Sequence, residues 1–451
     1  MKMRVNIGIL TFSLWMSLGV GAMAKDVSYK VSKTEVSDLS KRNVTLINHE
    51  IYKQFNVGFG GGYSIPFASN IEGETIWVSS VNLVLDHKIE YNSDYKEIKH
   101  YDGAAFAKLQ KQLKKSKFLV YWLVQGWDES WFNTSKIQNA MNAGYIPVFN
   151  YWYFGDNLDG VPSQSAQSAY QADHQRVIAF LNKLNGTKML IMEPEFNKKS
   201  IVEASEIEQH NFAAIIGNAI DTIRAGTQDV LFSMAMTDAG IRNIQKTYAS
   251  CGYANCALGD KNSWAKTDII FGDLNSRLDF ISFQQMVGQF SRDHENPGEW
   301  KRPNPRAYEN VGIELLHRRI ANLSEYLHTK YNKPVFLPYI TIATATWSDE
   351  NNNTQIENSE IDYDGWEDEA TFVYAQLASS KAQLLSCGLF GFAPMSLFDN
   401  PRHDYGGYQY FMQNEYHMGI IKSSAQDERA IAAYGDIVPK GTIVDSIFNT
   451  Q

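Results

Sequence analysis

The chain has 451 residues and a formal net charge of −9, with 44% hydrophobic and 20% charged residues. That balance describes a globular protein with length for one large domain or two small ones. Its acidity argues against nucleic acid as a partner.

In chain order, the first element is a leader. Lys2 and Arg4 precede an apolar stretch from Val5 to Val20, and Ala22-Met23-Ala24 offers a small-x-small cleavage site. Residues 1–24 are therefore expected to be a signal peptide, with an uncleaved membrane anchor as the alternative. Its loss makes the mature chain two units more negative and places it outside the cytoplasm, secreted or periplasmic. No later hydrophobic run is long enough to span a membrane, so none is expected as a partner after cleavage. Residues 25–54 read as an N-terminal extension and 55–445 as the folded domain.

From there, short apolar runs alternate with longer amphipathic segments. The strand-like runs are KFLVYWLVQ from Lys117, YIPVFNYWY from Tyr145, KMLIMEPEF from Lys188, VLFSMAM from Val230, DFISFQQM from Asp279, KPVFLPYITI from Lys333 and GLFGFAPMSLF from Gly388. Before them, either FNVGFGGGY from Phe55 or TIWVSSVNLVL from Thr75 supplies one more. Helical stripes intervene: Val177, Ile178, Leu181 and Leu184; then Phe212, Ile215, Ile216, Ala219, Ile220 and Ile223; then Leu316, Ile320, Leu323 and Leu327. For the second, Ser200 with Glu203 fits a capping box and Gly226 a terminus. Eight strands alternating with helices predict a single α/β domain of the (β/α)8 TIM-barrel type, with a doubly wound open sheet as the alternative. GFGGGYSIPF leads into no helix, which argues against a nucleotide cofactor. The acidic run Ser348–Glu369 reads as a long loop after the seventh strand. Cys251 and Cys256, in the polar loop SCGYANC, are expected to pair as a disulfide in an exported chain, and Cys387 reads as a buried free thiol.

In a parallel barrel both strand faces are buried, so carboxylates are tolerated only inward and near an end. Glu193 and Glu195, in KMLIMEPEF, share parity and are expected to point together into the C-terminal mouth. Polar residues end the other strands: Gln125; Asn150; Thr237 and Asp238; Ser282 and Gln284; Tyr339 and Thr341; and Asp399 just beyond the eighth. Aromatics crowd the same ends, with Trp127, Trp131, Tyr151, Trp152, Tyr153, Phe154 and Trp347. Sugars offer flat C–H faces for aromatic planes and hydroxyls for amides and carboxylates, so the mixture suits a carbohydrate cleft. Gln125, Trp127, Asn150, Trp152, Asp156, Gln284, Tyr339, Trp347 and Asp399 are the candidate substrate-binding residues.

On these residues the chain resembles the (β/α)8-barrel glycoside hydrolases, especially the clan with an acid/base glutamate at the end of strand four. The resemblance covers the layout from about Phe55 to Asn400 and implies hydrolysis of a poly- or oligosaccharide without cofactor or metal. MEPEFN departs from that clan's Asn-Glu pair by having Pro194 before Glu195, and KPVFLPYITIATATW has no strand-seven carboxylate for its nucleophile. EPEF also looks like the Glu-Pro-Asp strand of some cellulase barrels. Glycoside hydrolysis needs a protonated and an ionised carboxyl group. Glu195, beside Phe196, is the candidate acid, and Asp238, Glu193 or Asp156 the candidate partner. An Asp before Ala-Gly is also an ordinary helix cap, and Glu193 could be structural. A noncatalytic polysaccharide-binding barrel is the alternative function. Serine-elbow and HExxH patterns are absent; His294, His403 and His417 lie near acidic residues, where solvated loop histidines are the commoner outcome.

Overall fold

The computed structural model describes residues 49–60, 63–71, 74–79, 90–91, 96–97, 108, 111–238, 258–287, 316–344, 346–347, 351, 361–362, 365–398, 418–423, 439–440 and 442–448. The leader, the Cys251–Cys256 pair, Asp399, His294, His403 and His417 lie outside these residues.

Eight parallel strands close into a barrel: β1 (Asn56–Gly60), β2 (Phe118–Val124), β3 (Ile146–Trp152), β4 (Lys188–Met192), β5 (Val230–Thr237), β6 (Ile281–Val287), β7 (Val335–Ile342) and β8 (Leu389–Pro394). The expected barrel is thus present, and the open sheet is excluded by the pairing of β1 with both β8 and β2. The Phe55 run supplies the first strand. The Thr75 run instead forms Glu74–Ser79, antiparallel to Tyr63–Ile71 in a hairpin inserted after β1. Glycine is required at this seam, since a Cβ on Gly58 would lie 2.5 Å from the Cβ of Phe118 on β2.

The lower interior is apolar. Phe118, Phe280, Phe336 and Phe390 meet there with Val148, Ile191 and Ala235, and Ile51 and Tyr52 plug the end from the segment before β1. The Tyr52 ring lies 4.9 Å from that of Phe390, so residues 51 and 52 pack as part of the barrel. Outside the strands lies a larger core shared with helices α1 (Thr134–Asn142), α2 (Gln164–Leu181), α3 (Glu206–Gly226), α4 (Asp268–Leu274), α5 (Leu316–Tyr331) and α6 (Glu367–Ser379). The helical stripes face this core, as their 3.6-residue period requires.

Two boundaries differ from expectation. The capping box of α3 is Ser205 with Glu208, one turn later than Ser200 with Glu203, because Lys199–Val202 forms a separate helical turn. The end of the acidic run is helical: Glu367, Asp368 and Glu369 form the first turn of α6, where carboxylates complement the positive end of the helix dipole. Cys387 is a free thiol, though only partly buried.

Candidate active site at the barrel mouth

Strand β4 stops at Met192, one residue before the paired glutamates. Glu193 and Glu195 both occupy the left-handed region, with φ of 39° and 68° on either side of Pro194. Such backbone costs a non-glycine residue about 1–3 kcal/mol and persists only where surroundings impose it. Here neighbouring strands do so: the Glu193 N–H donates to Tyr151 O (2.8 Å), and the Glu195 N–H to Ala235 O (3.0 Å). The turn destroys the period-two alternation that places i and i+2 on one face, and the two carboxyl groups part company.

Glu193 turns outward. Its oxygens accept the backbone N–H groups of Tyr153 (3.3 Å) and Phe154 (3.1 Å), and its carboxyl faces the Tyr170 hydroxyl of α2. Those three partners all belong to the core between strands and helices. Burial pushes the carboxyl up to about 8, against the opposing pull of the amide donors and Tyr170. Just behind it, Asp173 accepts from Tyr151 Oη (2.9 Å) and Trp127 Nε1 (3.1 Å) and pairs with Arg176 (2.7 Å).

Glu195 stays at the mouth. Its Oε2 accepts from Lys198 Nζ at 3.3 Å, and the same ammonium reaches Asp156 Oδ1 at 3.0 Å. Asp156 comes from the 3-10 turn Gly155–Asn157 after β3, so one lysine joins the ends of β3 and β4. Lys198 also lies 6.0 Å from the Trp152 ring centroid. Asn197 anchors this turn to β5, exchanging hydrogen bonds with the backbone of Thr237 at 2.9 and 2.7 Å. Glu195 is 2% exposed, and its Oε1 has no hydrogen-bond partner among the described residues. Burial raises its pKa to about 7; Lys198 pulls it down and Asp156 pushes it up.

The inward faces of the strands complete the mouth. On β3, Asn150 and Trp152 follow Ile146 and Val148 on the interior face; on β6, Ser282 and Gln284 follow Phe280. On β7 a register shift around Pro338 brings Tyr339 inward three residues after Phe336. The amides of Asn150 and Gln284, Trp152 Nε1 and Thr341 Oγ1 are buried without partners among the described residues. Trp122 stands over them, half-buried, with its ring 6.0 Å from Trp152 and 5.7 Å from Tyr339, both nearly perpendicular. Met286, Met395 and Met418 pack around this cluster.

Other candidates fall elsewhere. The Asp238 carboxyl accepts from Arg319 of α5 (2.6 Å) and Trp264 Nε1 (3.2 Å), and both partners are buried in the outer layer. Its side chain therefore ties β5 to α5 and does not face Glu195. Trp127 packs against Phe132 and Phe180 in the outer core, under Arg176, and is no cleft aromatic. Gln125 is exposed in the turn after β2. Trp347 belongs to a short antiparallel pair with Ile361–Asp362. Trp122 and Lys198 were the omissions. Trp122 was legible, since it shares parity with Phe118 and Val120. Lys198 lies three residues after Glu195, but nothing in that spacing announces a turn that bends it back.

Because Glu193 and Glu195 hold protons to higher pH in the fold than the reference 4.5 of a free carboxyl, both favour the folded state most at low pH. Their contribution is complete below about 4.5 and is lost as pH rises through about 7 and 8. The melting temperature is expected to fall between about pH 5 and 8, and Glu193→Gln to flatten the upper part of that decline. Melts across this range that show a flat or rising profile contradict the assignment.

No protein-family model and no curated protein matches this chain. Among solved structures it is similar to an exo-β-1,4-mannosidase from Opitutaceae bacterium strain TAV5, at 11% identity and a TM-score of 0.44, over 87% of this chain and 59% of that one. The chain thus spans less than two thirds of that protein's length. It is also similar to a family 1 glycoside hydrolase from Thermotoga maritima, at 12% identity and a TM-score of 0.43, over 87% and 96% of the two chains. At this level the likeness is one of barrel plan, and the chemistry has to be argued from the residues of the mouth.

Proposed function

We propose that this protein is an exported glycosidase that cleaves a poly- or oligosaccharide, with Glu195 as general acid and Asp156 as its ionised partner. One observation carries the reading: at the C-terminal mouth a buried carboxyl has one oxygen held by an ammonium and the other without a partner among the described residues, beside an aromatic wall. A proton carrier at neutral pH needs a raised pKa, and burial supplies it. Trp122, half-buried and backed by the buried rings of Trp152 and Tyr339, suits the apolar face of a sugar ring. Glu195 and Asp156 share one ammonium, at 3.3 and 3.0 Å, which brings the two carboxyl groups to the same side of the mouth. The basic, apolar and small-residue pattern of the first 24 residues supports export.

The second reading is a noncatalytic glycan-binding barrel. It draws support from β7, which ends in Thr341-Ile342 without a carboxylate, and from the outward commitment of Glu193 and Asp238. Incubating the exported protein with a panel of polysaccharides and scoring new reducing ends separates the two. Turnover lost in Glu195→Gln, with glycan retention intact, is the expected result; retention without turnover in the parent protein supports the binding reading. Under either, Trp122→Ala is expected to weaken glycan affinity about tenfold, the worth of one aromatic contact of roughly 1–1.5 kcal/mol. Unchanged retention on an affinity gel removes Trp122 from the cleft.

A further inference from the structure

Resting on the acid role of Glu195, we propose that Lys198 is a positioning residue for the proton transfer: it holds Asp156 ionised and takes up the charge that Glu195 acquires when it gives its proton away. The geometry is asymmetric in the required way. Lys198 occupies Oε2 of Glu195, and Oε1 has no partner among the described residues, so the proton has one oxygen from which to depart. As the glycosidic C–O bond breaks, its electron pair stays on the leaving oxygen, which receives the Oε1 proton, while the anomeric carbon takes its new bond from the Asp156 carboxylate or from a water that Asp156 deprotonates; Glu195 is left a carboxylate, 3.3 Å from an ammonium already in place. An interaction stronger after the transfer than before it lowers the barrier, whereas one equal in both states does not.

A cation alone would defeat the purpose by stripping the proton beforehand. Two features oppose it. Burial disfavours the charged carboxyl, and Asp156 draws on the same ammonium from the β3 side. Among the described residues, the charged groups facing Glu195 are Lys198 from its own turn and Asp156 from the loop after β3. Strand β5 meets the turn through the backbone of Ala235 and Thr237. The Asn197–Thr237 clamp keeps Lys198 in register, and only 9% of its side chain is exposed, so the arrangement is preset.

Two substitutions are expected to move the Glu195 titration in opposite directions. Lys198→Met removes the cation and should raise the midpoint by about one unit or more; Asp156→Asn removes the competing anion and should lower it. The midpoint is read by NMR of Cδ-labelled glutamate, with the Glu195 signal identified by its loss in Glu195→Gln. This readout needs no turnover, so it decides the role of Lys198 even if the glycosidase reading fails. Where the protein turns over substrate, both limbs of the kcat/KM profile should shift upward in Lys198→Met with KM little changed, and Lys198→Arg should restore them. A lysine that merely braces the turn would lower the amplitude and leave the limbs in place. Unmoved midpoints in Lys198→Met and Asp156→Asn, or the same direction in both, overturn the proposal. Should Lys198→Met fail to fold, Lys198→Gln and Asp156→Asn make the same comparison.

Discussion

Replacing Glu195 with Gln is expected to slow cleavage of a natural glycoside by roughly 10²–10⁴-fold, the usual worth of general acid catalysis, or about 3–5 kcal/mol of barrier. Gln keeps the shape and can still accept from Lys198 Nζ, but it carries no transferable proton. The loss should depend on the leaving group. An aryl glycoside whose phenolate departs without protonation should be turned over by the variant nearly as well as by the parent, while an alkyl glycoside should not. The pH profile gives a second handle. The acid works protonated, and burial places its pKa at about 7, so kcat/KM of the parent should fall as pH rises through that value. In the variant this limb should vanish. Equal losses on activated and natural substrates would take the acid role from Glu195 and leave the binding reading in possession.

Arg319→Met is expected to be the most destabilising single change near the mouth, at about 3–5 kcal/mol, because it leaves the buried Asp238 carboxylate short of its counter-ion. Both side chains are 1% exposed, and the pair joins the end of β5 to α5. For a chain of this length the unfolding entropy is large, about 2.1 cal/mol/K per residue, so the loss amounts to only about 3–5 °C in the melting temperature. Denaturant midpoints therefore complement the melts. Asp238→Leu combined with Arg319→Met should recover much of the loss, since apolar replacements of both partners are often tolerated where removal of one is not. If Arg319→Met melts with the parent protein, the ion pair does not support the barrel. If Asp238 were instead catalytic, its substitution would abolish turnover at full stability.

The alternation of apolar runs with amphipathic stripes was enough to anticipate a barrel, because each strand must be apolar on both faces and each helix on one. It also placed Asn150, Trp152 and Gln284 on inward faces, since side-chain direction follows parity wherever the backbone stays extended; Tyr339 comes inward only through the register shift around Pro338. Trp122 followed the same rule and was passed over for Gln125, which lies one residue beyond the end of β2. The choice of first strand was not legible: two runs of similar composition competed, and only pairing with both β8 and β2, where Gly58 packs closely against Phe118, identifies the one that closes the barrel.

The pair in MEPEF marks where local pattern stops being informative. Composition alone announced carboxylates at the end of a buried strand, which is costly anywhere but a working or well-satisfied site. Their directions were decided by tertiary contacts. Hydrogen bonds from Glu193 to β3 and from Glu195 to β5 hold both residues at positive φ. One carboxyl is thereby delivered to the helix layer and the other to Lys198 and Asp156. Period-two alternation belongs to extended backbone and ends where the dihedrals leave that region. Which residues leave it depends on hydrogen-bond partners distant in sequence, for Glu195 the carbonyl of Ala235 on the next strand, that exist only once the barrel has closed.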